Sequence, residues 1–342
     1  MKNIVFHSDG FGDLLVCFKA LYAIKQLYPE YKLFLLTNGL MESDFLEKIP
    51  FIDEVLIYKD DFLEKIPFID EVLIYKDDFL EKIQSKNPVI FITTRRQGLY
   101  FKKLKFLNVQ KCIVFPHLIS IISKNLTTPL PFFRAKKHMS EIVLKLVRMI
   151  NTRHFDKNFN QIDFSKIKNL LPYDARLSDN FFKQIDTKYE KIIGINAFSN
   201  NSEYRGFNFF IKDWIGLARQ LSLKYPKFLF ILLNFSTNSI QYNIDQNANL
   251  KVFCNNKNIA SLVSISQKLD FLITVDTGNL HLCDILQIPT LAFTSSLAAY
   301  RFGGGSYGGR FDKLIVKPAW QKEYRKIYEI FTKKAENNLE NL

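Results

Sequence analysis

Phe271–Leu282 reads FLITVDTGNLHL and contains a complete strand-to-helix transition. Phe271–Val275 is a continuous apolar run, the pattern of a strand covered on both faces. Asp276 and Thr277 are residue types that open helices, either of which can cap one. Apolar residues at helical spacing then predict a helix over Gly278–Leu286. One strand, a short polar turn and a helix make half of a βαβ unit.

The same unit recurs along the chain. Asn3–Ser8 reads as a buried strand, and Gly12–Tyr28 carries Leu14, Leu15, Phe18, Leu21, Tyr22, Ile24 and Leu27 at helical spacing before Pro29. Further strands are expected at Lys32–Thr37, Pro88–Thr94, Lys111–Phe115, Ile192–Phe198, Phe228–Asn234, Lys251–Phe253, Thr290–Thr294 and Lys313–Val316. Helices are expected at Ile211–Tyr225, Ile259–Lys268 and roughly Gln321–Asn338. Strands alternating with helices imply parallel sheets. At 342 residues the chain exceeds what one core usually serves. We therefore expect two α/β domains, 1–172 and 173–342, with parallel sheets facing across a cleft. The polar stretch 151–190 reads as the connection. The last helix is a candidate for packing back on the first domain.

Composition narrows the partners. Hydrophobic residues make up 47% and charged residues 24%, an ordinary globular balance. The net charge of +13 favours anionic partners such as phosphorylated small molecules or an acidic membrane surface, or else reflects a lysine-rich background. Cys17, Cys112, Cys254 and Cys283 form no CxxC pair, and three lie in apolar segments, which fits buried thiols in a reducing compartment. Asp9 and Asp13 interrupt any signal-peptide core, and no apolar run approaches the length of about 18 residues needed for a membrane span. A cytoplasmic protein is expected, resting on a membrane if the basic surplus is used that way.

Asp44–Asp60, DFLEKIPFIDEVLIYKD, is repeated without change at Asp61–Asp77, and a third partial copy, DFLEKI, runs from Asp78 to Ile83. The 17-residue period is too short for most solenoid repeats. It reads as a duplication inside one βα unit, each copy offering a short helix and a strand, with one copy surplus.

Two junctions carry the candidate chemistry. Ser8-Asp9-Gly10-Phe11-Gly12-Asp13 joins the first strand to the first helix. Its glycines allow a tight turn, and Asp13 fits either a general base or a complement to the helix dipole. Position 15 is Leu15, so this is no GxGxxG dinucleotide fingerprint. The second junction, Asp276-Thr277-Gly278-Asn279-Leu280-His281, places backbone N–H groups where a diphosphate could bind, with His281 on the first turns of its helix.

Together these junctions resemble glycosyltransferase family 9, the ADP-heptose:lipopolysaccharide heptosyltransferases. The resemblance rests on Gly12-Asp13 opening a helix that ends near Pro29, on Asp276-Thr277-Gly278-Asn279-Leu280-His281-Leu282, and on Pro289-Thr290. It implies a GT-B fold and inverting, metal-independent transfer, with no cofactor and a nucleotide-sugar substrate such as ADP-heptose. It implies Asp13 as base, Arg205 neutralising the leaving diphosphate, and Gly12, Ser199, Asp276, Thr277, Gly278, Asn279 and His281 on the donor. The turns at Asn234–Thr237 and Phe293–Ser296 depart from the family pattern. A nucleotide-sugar-binding protein without turnover therefore stays open, as does a basic membrane-surface binding protein.

A basic and aromatic constellation includes Thr94, Arg95, Arg96, Tyr100, Lys136 and Lys137. It suits an anionic lipid-linked glycan acceptor and an anionic bilayer, or simply a solvated face. Taken with the resemblance, it implies a peripheral position on the inner face of the inner membrane. No nucleic-acid recognition motif appears, so nucleic acid is not an expected partner. The glycine-rich stretch Arg301–Arg310 lacks the Gly-Lys-Ser/Thr of a phosphate loop and reads as a mobile connection.

Overall fold

The structure is a computed structural model. It describes residues 2–38, 43–58, 78–95, 100–101, 104, 107–129, 137–185, 187–199, 202, 204–234, 249–296 and 298–342. The chain divides into two compact units, Met1–Leu170 and Leu171–Leu342.

The first unit is built on β1 (Lys2–His7), β2 (Tyr31–Thr37), β3 (Glu54–Ile57), β4 (Ile90–Thr93), β5 (Lys111–Ile113) and β6 (Leu126–Thr127). All pair in parallel, in the order β3-β2-β1-β4-β5-β6. The second contains β7 (Lys191–Asn196), β8 (Phe228–Asn234), β9 (Leu250–Cys254), β10 (Phe271–Val275), β11 (Thr290–Ser295) and β12 (Phe311–Val316), in the order β12-β11-β10-β7-β8-β9. Counting strands within each unit, both orders are the 3-2-1-4-5-6 of a doubly wound nucleotide-binding sheet. The two parallel α/β domains of the GT-B expectation are both present.

Strand order fixes where each unit has its crevice. Winding reverses between the unit's first and fourth strands, and loops leaving their carboxyl ends diverge there. In the first unit these are β1 and β4, with His7 level with Thr93. In the second they are β7 and β10, with Asn196 level with Thr274. Both motif junctions leave the sheet at such a point.

The core residues are those the apolar runs predict. Val5, Phe34, Leu36 and Phe91 are buried in one cluster of the first unit, and the Phe11–Leu27 helix buries Leu14, Leu15, Phe18, Leu21 and Ile24. Each fully buried Leu or Phe stabilises by roughly 1.5–3 kcal/mol. Cys17, Cys112 and Cys283 are buried thiols, and burial pushes each up to about 12.

The expected connection, 151–190, contains the boundary between the two units, and two other expectations are corrected. The stretch 151–190 is a run of short helical segments, Thr152–Asn158, Phe159–Gln161, Phe164–Leu170 and Ala175–Lys183. Asn151 and Asp174 cap two of them by accepting from His154 N and Arg176 N. Turns this short carry too few apolar positions to show a period. The last helix, Tyr324–Leu339, seats Phe331, Ala335 and Leu339 in the second unit's own core beside Trp214 and Phe293. Its Tyr324 hydroxyl donates to Asp213 Oδ2 at 2.5 Å. The glycine-rich stretch is pinned rather than loose: the buried Asp284 carboxylate accepts from Gly305 N at 2.8 Å, Ser306 N at 3.1 Å and Ser306 Oγ at 2.5 Å. A Cβ on Gly303 would stand 2.7 Å from the Ala299 carbonyl oxygen, so only glycine lets these turns stack.

One hexapeptide serves in two places. In the first repeat copy, Ser43–Glu47 is helical with Phe45 and Leu46 buried, and the same copy supplies β3. In the third, the Asp78–Ser85 helix buries Phe79 and Ile83 and leads to β4. Residues 61–77, the second full copy, lie outside the described residues.

Candidate functional site

The first unit's crevice is occupied by a charged network. Asp9 follows β1 directly, and its carboxylate accepts from groups at the ends of four strands. Oδ1 takes Asn38 N, after β2, at 2.8 Å. Oδ2 takes the Tyr58 hydroxyl, after β3, at 2.9 Å, and Arg95 Nε, after β4, at 2.5 Å. His7 Nε2, at the end of β1, lies 3.0 Å from the same oxygen. A carboxylate can only accept, so this ring nitrogen carries the proton. The other ring nitrogen faces the Tyr100 hydroxyl at 2.5 Å and Thr93 Oγ1 at 3.2 Å. Arg95 closes the ring by donating from Nη2 to Tyr58 at 2.7 Å.

Burial alone would raise the Asp9 carboxyl, because it disfavours the charged form. The neighbouring His7 and Arg95 outweigh it, and the net shift is well below the usual carboxylate range. The His7 side chain is wholly buried, and those of Asp9 and Arg95 are 14% exposed.

Above this network the chain turns at Gly10, whose φ of 77° favours glycine. The Phe11–Leu27 helix then begins, with Gly12 half-buried and Asp13 exposed in its first turn. Thr94 ties the opposite lip of the crevice to β1, donating to Ser8 Oγ at 3.1 Å. Arg95 is drawn inward by Asp9 and Tyr58, Lys137 is exposed, and Arg96 and Lys136 lie outside the described residues.

The second unit's crevice is braced by hydroxyls and amides. Ser199 and Ser202, in the loop after β7, both donate to the Asp276 carbonyl, at 2.7 and 2.9 Å. Asn196 donates to Thr274 Oγ1 at 3.2 Å and accepts from Asn279 Nδ2 at 2.9 Å. These bonds join the lips of the crevice and hold the start of the Gly278–Ile285 helix. Thr277 is its extended N-cap residue and makes no side-chain capping bond. The first N–H groups of a helix have no partner within it. Asp276, Thr277, Gly278 and Asn279 are half-buried around this helix start, and His281 is buried against Phe302, ring centroids 6.3 Å apart. The arrangement suits an anionic group. Arg205 is exposed in a turn before Gly206, in the same connection as Ser199.

Whole-chain structural comparisons match the fold. A glycosyl transferase family 9 structure from Veillonella parvula superposes with a TM-score of 0.70 at 14% identity, over 100% of this chain and 98% of that one. The chain has the fold of a family 9 glycosyltransferase. E. coli ADP-heptose lps heptosyltransferase II matches with a TM-score of 0.62 at 12% identity, over 98% of this chain and 100% of that one. E. coli heptosyltransferase WaaC, solved with ADP-2-deoxy-2-fluoro heptose, matches at 0.60 and 15% identity, over 99% and 100%. No family model and no curated protein matches the sequence.

Within this heptosyltransferase-like fold, the structure gathers Ser199, Asp276, Thr277, Gly278, Asn279 and His281 around one helix start, and places Gly12 and Asp13 at another. The polar bracing of both crevices escaped sequence reading. His7 and Tyr58 are missed in the first unit, and Asn196, Ser202 and Thr274 in the second, while Asp9 and Tyr100 were named without this role. Of the missed residues His7 gave a local signal, being a polar residue at the end of a buried apolar strand.

Proposed function

We propose that this protein is an inverting, metal-independent glycosyltransferase using a nucleotide-diphosphate sugar, with heptose as the transferred sugar. The observation that carries the reading is the hydroxyl-braced turn at Asp276–Asn279 opening the Gly278–Ile285 helix at the second unit's switch point. A diphosphate held there gains from the helix N-terminus as negative charge builds on the leaving group. Arg205 neutralises further charge. Asp13 takes the proton of an acceptor hydroxyl as its oxygen attacks the anomeric carbon. The bond from that carbon to the diphosphate breaks on the opposite side, which inverts the centre.

ADP is the nucleotide we favour, since two WaaC structures sharing the fold were solved with ADP and with an ADP-heptose analogue. The acceptor is an anionic lipid-linked glycan, reached from the inner face of the inner membrane. Peripheral placement draws support from the net charge of +13 and from the Leu118–Ile122 helix. Its Leu118, Ile121 and Ile122 are 78%, 50% and 80% exposed, at i, i+3 and i+4, and Lys124 follows. Among the described residues no helix is long and apolar enough to cross a membrane.

Calorimetric titration with ADP, UDP, GDP and CMP, without divalent metal, tests the donor site. ADP binding weakened by Asp276→Ala is the expected result. Binding of another nucleotide would keep the transferase reading and replace heptose. No nucleotide binding would overturn it.

A further inference from the structure

We propose that Asp9 is a positioning residue that sets the aim of Asp13, with Tyr58 and Arg95 as its braces. This inference rests on the reading of Asp13 as the base.

The geometry behind it is local and specific. Asp9 takes donors from the carboxyl ends of β1, β2, β3 and β4 together, through His7, Asn38, Tyr58 and Arg95. Gly10 is the next residue, and its carbonyl accepts from Leu14 N at 3.0 Å in the opening turn of the helix. One residue therefore separates the braced carboxylate from the helix that carries Asp13. Gly10 has no Cβ to restrict it, and an added Cβ would meet nothing within 4 Å. Packing around Gly10 thus does little to define the turn. Anchorage falls to Asp9 on one side and to the buried Leu14 and Leu15 on the other.

Such a brace matters for proton abstraction. A general base works only within hydrogen-bond reach of the hydroxyl it deprotonates. A misplacement of about 1 Å can cost a reaction roughly 100-fold. Asp9 precedes the helix that carries Asp13 and is satisfied by internal donors, so its role is aim rather than chemistry.

The test compares Asp9→Asn and Tyr58→Phe with the parent protein by steady-state transfer and by amide hydrogen exchange. Asp9→Asn keeps the shape and removes the charge. Its expected kcat falls roughly 10- to 100-fold, with donor KM and nucleotide affinity within about twofold. Exchange at residues 10–14 is expected to speed up about tenfold, with residues 278–281 unchanged. Tyr58→Phe removes one brace, preserves the ring and is expected to show the same pattern more weakly. If Asp9→Asn does not fold, Tyr58→Phe carries the test. Parental kcat in a folded variant, or unchanged exchange at residues 10–14, would overturn the proposal. An equal loss of kcat and nucleotide affinity would make Asp9 merely structural and also overturn it. A parent protein that transfers no sugar would sink the transferase reading instead, and the exchange data would still judge the brace.

Discussion

The two switch points share one topology and are built from opposite materials. In the first unit the crevice between β1 and β4 is held by ionised groups, with Asp9 satisfied by His7, Arg95, Tyr58 and Asn38. In the second, the crevice between β7 and β10 is held by Ser199, Ser202, Asn196, Thr274 and Asn279, all uncharged. Hydroxyls and amides brace a crevice without adding fixed charge of their own, whereas ionised groups must be matched by partners within the frame. The same strand order therefore supports a charged frame in one half of the chain and a frame of hydroxyls and amides in the other.

The comparison can be broken most forcefully at Asp13. Asp13→Ala is expected to lower kcat by about 10²- to 10⁴-fold, the usual contribution of a general base. Nucleotide affinity measured by titration should stay unchanged, because the proposed diphosphate turn, Asp276–Asn279, belongs to the second unit. A parallel loss of affinity would erase the division of labour.

The next largest effect is on stability. Asp9→Ala leaves the wholly buried His7 and the nearly buried Arg95 without their shared acceptor. Such a change costs about 3–5 kcal/mol, read as a lower urea midpoint. Acid should have a related effect. The Asp9 carboxyl lies below its unfolded value of about 3.9. Its stabilising contribution is therefore complete above that value and is lost as pH falls below it. In Asp9→Ala this part of the acid sensitivity should vanish. If denaturation curves at pH 3 and pH 7 shift alike in both proteins, the charged frame is not the stabilising element.

Asn196→Ala probes the amide and hydroxyl bracing of the second unit. It removes the donor to Thr274 and the acceptor for Asn279, and should cost about 1–3 kcal/mol. That is less than Asp9→Ala, because no charge is stranded. The smallest effect is expected from deleting residues 61–77. The first copy supplies β3 and the third supplies the Asp78–Ser85 helix, so each described element keeps its own residues. Deleting 44–60 gives the same chain, since the copies are identical. An insoluble product would show that the second copy is needed for folding.

Much of the fold was legible locally. The runs at β1, β2, β4, β8, β10 and β11 are continuous and apolar because parallel strands are covered on both faces. Their ends fall within about two residues of expectation, the usual uncertainty of element boundaries. The candidate site was legible where a motif spans one junction, as at Gly12-Asp13 and Asp276–His281. It was illegible where partners come from afar: the groups meeting Asp9 lie 29, 49 and 86 residues along the chain. The pinned glycine-rich loop was missed for the same reason, because its anchor, Asp284, sits on the preceding helix.

By itself the sequence determined where strands pass into helices and which residues stand at those junctions, because periodicity and turn chemistry act over a few neighbours. Tertiary structure alone decided that β1 lies beside β4 and β7 beside β10. Strand order depends on how the whole sheet is buried, and that burial turned scattered polar residues into one charged frame and one frame of hydroxyls and amides.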